Sequence, residues 1–596
     1  MTPRRALILP VVLLLIGLLA LIMAGFVFFV RAEHAGISAY SEMQQARLAA
    51  ESGLEAIVSV LRAEPHNAAA WFDVPARFRH GLVWAETYDR QSDPVRRLGS
   101  RKEYFDSQPL RVPAWRYTAA APRYDGPQNT MRFGVTPESG KLNINTAAEQ
   151  QVGDLFTPLL LGLGLENPQE LIAAFLDWRD ADDDVREGGA ELEYYNTLEP
   201  PYNPKNGPLD SVEELLLVRG FTAAVLYGED VNRNGILDAN EDDGQASEPY
   251  YDNGDGVLNY GLAPFLTIWS RELDTALDNQ PRINLNADAG VVGLQIAQYF
   301  ENGELSQATI DFLLGLKAQN FNFSQISSPA ALYASGEQSA RGGTSPFGGA
   351  KSGSAKQNAL QQDRTQRGGS QSGGALSGGS RQGADRRGGS RGGPPREGLA
   401  PVTPEGTEQT EDKGAEQPGG EQPAGEDASA GAAEDQLPPE LAASPITLEE
   451  MPFIMDRFSV RPPQAAQQPL FGLINVNTAP LRVLQLIPGM TPEAAGAIVD
   501  TRQRAEAAVL RTTAWPLVTG AVDAATFRRI APHITTKAHQ VQVEVLGYAD
   551  HLSLSTRLEW VIEMVGPLAQ VKYHRDLTRL GPAWPIDDQT VVVANR

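Results

Sequence analysis

The chain of 596 residues contains no cysteine and only seven histidines. Without cysteine it can form no disulfide, no thiolate zinc site and no cysteine nucleophile. No histidine stands in a paired spacing such as H-E-x-x-H, which argues against transition-metal chemistry. Basic residues are too few to balance the acidic ones, and the net charge of −24 disfavours nucleic acid as a partner. The length predicts several domains.

Charged residues are also missing from positions 6–30, a run long enough to cross a bilayer, which needs ~20 apolar residues. Arg4 and Arg5 precede this run, so the positive-inside rule places the N-terminus in the cytoplasm and the bulk outside. A cleaved secretory signal is the alternative, but the run exceeds the usual ~7 to 15 residues and lacks an A-x-A exit. We therefore predict a membrane anchor.

Apolar residues at helical spacing continue from Ile37 to Leu61, with charged residues between them. This pattern favours one continuous helix to about Glu64, whose apolar stripe must be covered by another element or a partner. The alternative is a signal anchor followed by an ordinary core helix.

Short aromatic and β-branched runs occur at 82–135, and alternating valines begin a second set at Val541, Val543 and Val545. Mostly helical patterns lie between the two sets. The simplest architecture is one small antiparallel sheet whose chain is interrupted by a large helical insertion.

Three copies of one pattern divide the insertion: LNINT at 142–146, INLNA at 283–287 and INVNT at 474–478. Each stands just before a helical pattern, where Thr146, Asp288 or Thr478 could cap the helix, so each is expected to open a helical subdomain. Residues 335–440 are of low complexity and nearly free of large apolar side chains, which predicts a disordered, solvated linker.

The segment 230–241 fits a twelve-residue calcium loop, because its oxygen-bearing residues fall at the positions that surround the ion and Gly235 falls at the sharp turn. A solvated acidic turn is the alternative. The candidate ligands are Asp230, Asn232, Asn234, the carbonyl of Ile236, Asp238 (directly or through water) and Glu241.

Two further acidic segments are candidates for cations. The first resembles half of such a loop and offers Asp252, Asn253, Asp255 and Asn259, although its first and twelfth positions, Tyr251 and Leu262, carry no carboxylate. The second is the cluster of Asp177, Asp180, Asp182, Asp183 and Asp184, for which a solvated turn is the simpler interpretation.

After the third repeat, Pro488, Gly489 and Met490 form the turn of a predicted helix-hairpin-helix. In DNA-binding versions a second glycine lets backbone amides cradle a phosphate, whereas this chain has Thr491 there and weakly basic flanks. We therefore expect the hairpin to pack or to bind a partner. No nucleophile, base and oxyanion arrangement is recognisable, so we predict a protein that is not an enzyme; a surface hydrolase remains the alternative.

Several motifs together resemble the minor pseudopilin K family of type II secretion, also called general secretion pathway protein K. Besides the basic tail and apolar helix, they are GKLNINTA at 140–147, FLDWRD at 175–180, EYY at 193–195 with PPY at 200–202, and PLDSVEELLLVRG at 208–220. The resemblance implies a pilin-like helix and sheet interrupted by a large α-domain, structural calcium, and a place at the tip of a periplasmic pseudopilus.

The resemblance also implies cleavage by a prepilin peptidase and methylation of the new N-terminus. The matching junction is Ala6-Leu7, with Ala where the family usually has Gly. Most pilins carry Glu five residues into the mature chain; here that residue is Val11, and protein K of this family is recognised by lacking the Glu.

The expected fold is therefore α+β: a long N-terminal pilin-like helix and a small antiparallel sheet, interrupted by a large, mostly helical insertion with helix-hairpin-helix or SAM-like units. The expected segments are a basic leader (1–6), the transmembrane (7–30) and periplasmic (31–64) parts of the helix, a β element (65–139), an α-domain with the calcium loop (140–334), the linker (335–440), a helix-hairpin-helix subdomain (441–536) and C-terminal strands (537–596).

The predicted function is that of a tip subunit which helps to initiate and cap the pseudopilus, anchored by a single span in the inner membrane with its bulk in the periplasm. The expected partners are the I-type and J-type minor pseudopilins, the major pseudopilin, the inner-membrane secretion platform and prepilin peptidase. The alternative is a membrane-anchored DNA-uptake receptor that uses helix-hairpin-helix units.

Overall fold

A computed structural model describes residues 8–85, 114–125, 130–247, 252–334, 438–466, 468–549 and 554–584. The Ala6-Leu7 junction and residues 335–437 of the predicted linker lie outside the described residues.

The helices are α1 (Ile8–Ala63), α2 (Ala68–Trp71), α3 (Pro75–Phe78), α4 (Glu149–Gly162), α5 (Pro168–Arg179), α6 (Leu192–Tyr195), α7 (Ala223–Tyr227), α8 (Ala289–Glu301), α9 (Gln307–Ala318), α10 (Met451–Arg457), α11 (Leu481–Leu484), α12 (Pro492–Arg502), α13 (Trp515–Val518) and α14 (Ala524–Ile530). Short 3₁₀ helices cover Glu138–Gly140, Val212–Leu217, Ala263–Phe265, Phe323–Gln325, Pro329–Leu332, Pro439–Leu441, Val509–Arg511, Ala531–His533 and Thr578–Leu580.

The strands are β1 (Gly81–Ala85), β2 (Ala114–Ala119), β3 (Ala121–Pro122), β4 (Met131–Arg132), β5 (Thr136–Pro137), β6 (Leu142–Asn143), β7 (Leu266–Thr267), β8 (Arg271–Glu272), β9 (Ile283–Asn284), β10 (Phe458–Ser459), β11 (Leu470–Phe471), β12 (Ile474–Asn475), β13 (Ile534–Thr535), β14 (Gln540–Ala549), β15 (Ser555–Val565) and β16 (Leu568–Asp576).

Helix α1 has two parts with opposite surroundings. Residues 11–30 are all exposed, and the helix is long and apolar enough to span a membrane. Farther along, residues spaced at helical intervals, including Ala46, Ala50, Ile57 and Leu61, are buried against the sheet. The predicted continuous N-terminal helix is confirmed, and from Ala46 onward one of its faces is covered by the sheet.

The sheet against α1 is antiparallel and has the order β1-β2-β14-β15-β16, with β5 also pairing with β14. The predicted alternation appears in β14, where Val541, Val543 and Val545 are fully buried in the core shared with α1. Strand β2 and strand β14 pair through Tyr117 and Gly547, although most of the chain lies between them. The predicted union of the two sets of strands in one sheet is confirmed for β1 and β2, whereas β4, from the last run of the first set, pairs with β3 in a separate two-stranded sheet.

Helix α1 lies very close to β14 at Gly547. A Cβ atom on Gly547 would lie 2.0 Å from the carbonyl oxygen of Ala46, and one on Gly53 would lie 2.7 Å from the ring of Tyr117. Glycine at these two positions therefore permits the close helix-to-sheet packing.

The insertion contains three similarly built units, each opened by one copy of the Asn motif and closed by a two-residue parallel ladder. In these ladders β6 pairs with β7, β9 with β10, and β12 with β13. The helix pairs α4–α5, α8–α9 and α11–α12 follow the first strand of each ladder. A separate hydrophobic core runs through the insertion, and the predicted α+β fold class is confirmed.

The Asn motifs share one hydrogen-bond pattern. The side-chain oxygens of Asn143, Asn284 and Asn475 accept from the backbone N–H two residues later, at 3.0, 2.8 and 2.9 Å. The second Asn of each motif then donates its amide to a distant backbone carbonyl, at 2.9, 2.7 and 2.9 Å. The repeated sequence thus encodes a repeated turn.

A basic residue at the end of the second helix stabilises each turn. Arg179 donates to the carbonyls of residues 144 and 147, Lys317 to those of residues 285 and 287, and Arg502 to that of residue 476. Sequence spacing did not relate these three residues to the turns that they stabilise, because at least 26 positions separate them.

Candidate functional site

The predicted calcium loop is folded back on its first residue. Asp230 accepts hydrogen bonds from the backbone N–H groups of Asn234 and Gly235, both at 2.9 Å. Gly235 has φ +68°, and a Cβ atom there would lie 2.3 Å from Pro122. Both observations explain why glycine occupies the sharp turn.

The later positions of the loop complete a ring of oxygen-bearing side chains. Asn232 and Asn234 donate their amide groups to Asp238 at 2.6 and 2.9 Å. Glu241 accepts from the backbone N–H groups of residues 231 and 238 at 3.1 and 3.2 Å, which ties the end of the loop to its beginning. The six predicted ligand residues therefore belong to one closed loop.

This loop holds carboxylates away from water. Burial raises the pKa of Asp230 to about 6 and the pKa of Glu241 to about 7, and the charges of Asp230 and Asp238 add to the increase at Glu241. A bound cation would offset both the desolvation and the repulsion.

The donor set suits a hard cation, because it consists of carboxylate, amide and carbonyl oxygens. Within the described ranges, no group of three or more His, Asp or Glu side chains is placed to hold a metal ion by itself. Calcium would therefore depend on the oxygens of Asn232, Asn234 and Ile236 as well, and its binding stays a prediction.

Arg557 joins the loop to the sheet. Its side chain is almost fully buried on β15, donates to the carbonyls of Asn232 and Arg233 at 2.7 Å each, and bonds Glu544 of β14 at 2.6 Å. Arg233 itself has φ +60°. One guanidinium therefore anchors the backbone of the candidate metal loop on the pilin-like sheet.

The second predicted segment forms a series of turns beside the first. Asp252 accepts from the N–H groups of Gly244 and Gly254 at 2.7 and 2.8 Å. Asn253 and Asp255 accept from the backbone N–H two residues later. The amide of Asn259 instead donates to Glu229 at 3.1 Å. Tyr251 lies outside the described residues.

The acidic cluster at 177–184 divides into buried and exposed parts. Asp177 is fully buried and accepts from the N–H of Ala190 at 2.8 Å and from Arg186 at 3.0 Å, whereas residues 182–184 are exposed. Arg186 also bonds Asp180. The solvated-turn interpretation therefore holds for only part of the cluster.

Glu191 belongs to this cluster, although the sequence reading did not include it. It is 3% exposed, and neither of its carboxylate oxygens has a hydrogen-bond partner among the described residues. Burial raises the pKa of Glu191 to about 7, with further contributions from Asp177 and Asp180. Glu191 is therefore a buried carboxylate beside a cluster whose Asp177 and Asp180 are already paired with Arg186, and cation binding at this cluster stays a prediction.

The hairpin residues Pro488, Gly489 and Met490 lie between α11 and α12. Pro488 and Gly489 are exposed, Gly489 has φ +81°, and a Cβ atom there would lie 2.6 Å from the Cβ of Arg529 on α14. Thr491 caps α12 by accepting from the N–H of residue 494. Thr491 therefore serves the helix start, and the turn packs beside α14.

Comparisons with known proteins point to one family. A family model described as "Type II secretion system (T2SS), protein K" matches residues 140–227. Type II secretion system protein K of Klebsiella pneumoniae is 40% identical over 82 residues, which cover 13% of this chain and 25% of that protein. The chain thus matches about a quarter of the length of this curated relative.

A solved structure is also similar, the crystal structure of the GspK-GspI-GspJ complex of the type 2 secretion system of enterotoxigenic Escherichia coli. The match covers 91% of this chain and 98% of that chain, with 10% identity and a TM-score of 0.33. The family match at 140–227 includes all the internal motifs on which the resemblance rested, and it confirms that resemblance.

Proposed function

We propose, from the premise that residues 140–227 belong to the type II secretion protein K family, that the chain is the minor pseudopilin at the tip of the pseudopilus, where it helps to initiate and cap assembly. The observation that carries this proposal is helix α1, which is bare and apolar over residues 11–30 and packed on an antiparallel sheet farther along. In this role the protein assembles a fibre and catalyses no reaction.

The N-terminal half of α1 would anchor the protein in the inner membrane with its bulk in the periplasm, because it offers enough apolar length to span the bilayer. Beyond the membrane, α1 exposes Ile37, Tyr40 and Leu48, which are 59%, 65% and 59% exposed. Such a face suits the apolar stripe of another pilin-like helix. The I-type and J-type minor pseudopilins are the proposed partners, with the major pseudopilin below them.

Two features support the proposal that this subunit caps the pseudopilus: the residue at position 11 near the start of α1, and the size of the insertion. The carboxylate that other pilins use to pair with a neighbour's amine is absent, since Val11 occupies that position and is 56% exposed. A subunit with nothing above it has no such amine to neutralise. The three units of the insertion add bulk that would obstruct a further subunit, and prepilin peptidase and the secretion platform would act before and during assembly.

Calcium is proposed as a structural ion at the loop 230–241. When bound, it would supply positive charge to the buried carboxylates of Asp230 and Glu241. The loop's own hydrogen bonds place the oxygens, and Arg557 keeps the loop on the sheet. In a chain without disulfides, such an ion would stiffen a long irregular segment.

The function is tested by pull-down of the full chain in detergent against I-like and J-like pseudopilins, with calcium and with chelator. We expect a complex that contains both and weakens in chelator. Tyr40→Glu should weaken it, because a charge would enter the apolar helix face, whereas Glu33→Gln on the same helix should not. A folded protein that captures neither subunit in either condition contradicts the proposal.

Two further measurements separate the parts of this proposal. Calorimetry should detect calcium binding by the chelator-treated full chain. Binding should be weaker in Glu241→Gln and unchanged in Glu193→Gln. If no calcium binds, the proposed calcium site is wrong, whereas the proposed tip role is still tested by the pull-down. DNA retained at low salt would favour the DNA-receptor alternative.

A further inference from the structure

A cavity of about 270 Å³ lies between the second and third units of the insertion, and we call it the junction cavity. Hydroxyl side chains from both units line it, among them Ser459, Thr512 and Thr535. The basic side chains in its wall are Arg282, Arg461, Arg511 and Lys537, and the acidic ones are Glu272, Asp274 and Asp456. The wall therefore has one more basic than acidic residue, in a chain whose net charge is −24.

The acidic residues of the wall already have partners. Asp274 accepts from Ser459 at 3.0 Å and forms ion pairs with Arg282 at 3.3 Å and Arg461 at 3.5 Å. Asp456 accepts from the N–H of residue 277 at 2.8 Å and pairs with the neighbouring arginine at 3.3 Å.

Glu272 binds Nδ1 of His539 at 2.6 Å. All three carboxylates are therefore committed to other groups.

Lys537 is the buried basic residue of this wall that has no carboxylate partner among the described residues; Arg511 also has none there, but it is exposed. Lys537 is 5% exposed, and its Nζ donates to the backbone and hydroxyl oxygens of Thr275. Among the described residues no carboxylate lies within 4.0 Å of this nitrogen. Arg282 adds a second unmet donor, since its buried Nε has no hydrogen-bond partner among the described residues.

Glu272, Asp456 and Asp274 favour the charge of Lys537 only from beyond contact distance. A buried cation with no anion in contact is costly, and it is stabilised either by loss of its proton or by binding an anion. Burial lowers the pKa of Lys537 to about 8, so the side chain still carries its charge at pH 7. The cavity beside it has room for a small molecule and hydroxyl donors to complete the coordination of an oxyanion.

We propose that the junction cavity binds a small oxyanion, a carboxylate or phosphate group, with Lys537 as its counter-ion and Arg282 as a second donor. Such a ligand would bridge the second and third units of the insertion. The site is separate from the candidate calcium loop and does not depend on the proposed tip function.

The test is calorimetry on the full chain in detergent at pH 7 in chloride buffer, with inorganic phosphate in one titration and acetate in another; the two probes separate phosphate from carboxylate. We expect binding of at least one probe, weakened about tenfold or more by Lys537→Met, because a charged hydrogen bond is lost. Lys572→Met, at an exposed lysine paired with Glu563 at 2.8 Å, is the matched control and should bind as the wild type does. Binding of neither probe, or equal binding by the Lys537 variant, overturns the proposal.

A second measurement needs no variant and serves if Lys537→Met does not fold. Acetylation of lysines in the wild type at pH 8, followed by mass spectrometry, should show that the bound probe slows modification of Lys537 severalfold relative to Lys572. Equal slowing at both lysines, or none at either, contradicts the site.

Discussion

The pilin-like part consists of α1 and the sheet β1-β2-β14-β15-β16. It differs from the insertion in how far apart along the chain the paired residues lie. The pilin-like part pairs strands from distant regions of the chain, and a contact such as that between Thr118 and Tyr548 joins residues 430 positions apart. Each unit of the insertion instead opens with an Asn motif whose first hydrogen bond joins residues two positions apart. The second Asn of the motif and the closing ladder then add contacts with distant backbone. The comparison teaches that one chain can combine a sheet of long-range contacts with units whose turns are encoded within five residues.

The largest expected effect comes from the buried link between the two regions. Arg557→Met should destabilise the sheet by about 3 to 5 kcal/mol, because it leaves Glu544 and two loop carbonyls without their partner. Hydrogen exchange should rise in both β14 and the loop 230–241.

The control for that link is Arg271, which joins the insertion to β15 through Glu563 at 2.6 Å but is about one-third exposed. Arg271→Met should cost less than about 1 kcal/mol, since water screens such a pair. If Arg557→Met and Arg271→Met lower the free energy of unfolding by the same amount, burial does not distinguish the two links.

The next effect concerns the packing of α1 on the sheet. Gly547→Val should destabilise the pilin-like part by about 3 kcal/mol, because its side chain would collide with the backbone of α1. Gly496→Ala is the control: a Cβ there meets nothing within 4 Å, and the change should stabilise α12 by about 0.5 to 1 kcal/mol. Hydrogen exchange in β14 measures the effect of Gly547→Val, and exchange in α12 measures that of Gly496→Ala. If Gly547→Val leaves the protection of β14 unchanged, the close packing of α1 on β14 is contradicted.

A smaller and more local effect is expected within one unit of the insertion. Lys317→Met should cost about 1.5 to 3 kcal/mol in the second unit, because two carbonyls of its Asn motif lose a charged donor. Exchange should rise in α8 and α9 and stay constant in β14 and β15. If β14 and β15 lose as much protection as α8 and α9, the insertion and the pilin-like part unfold together. The two regions would then not differ as proposed.

The smallest effect is the pH dependence of the metal-free loop. The folded-state pKa of Glu241 is raised from 4.5 to about 7, so the folded protein binds more protons than the unfolded chain within that interval. This contribution to stability is complete below about pH 4.5 and is lost as the pH rises through 7. Denaturation in chelator should show the trend. Glu241→Gln should reduce its slope without removing it, because Asp230 and Glu191 titrate in the same interval. Calcium should reverse the trend at pH 7, and a flat wild-type profile would contradict the raised pKa.

Much of the fold was predictable because its signals are local. The apolar run and helical spacing predicted α1, and the alternating valines of β14 predicted a strand with one buried face. The positions of Asp230, Gly235 and Glu241 predicted a calcium loop, and in the structure Gly235 donates to Asp230 and Glu241 accepts from the N–H of Asp238. Calcium at that loop stays a prediction, because a closed loop is also compatible with an acidic turn.

The remaining features depend on residues that sequence spacing does not relate. Glu191 joins the acidic cluster only because the chain returns to Asp177 at Ala190. Lys537 faces the junction cavity because the second and third units pack together. Neither residue stands in a motif, and no pattern in its neighbourhood identifies it.

The sequence by itself determined the spanning helix, the three Asn turns and the backbone of the candidate metal loop. Hydrogen bonds between residues two to ten positions apart shape the first turn of each Asn motif and the loop, and local composition accounts for the helix. Only the tertiary structure decided which strands pair, that Arg557 carries the loop on the sheet, and which buried charges lack partners. Those features depend on which distant surfaces exclude water together, and spacing along one chain does not specify that.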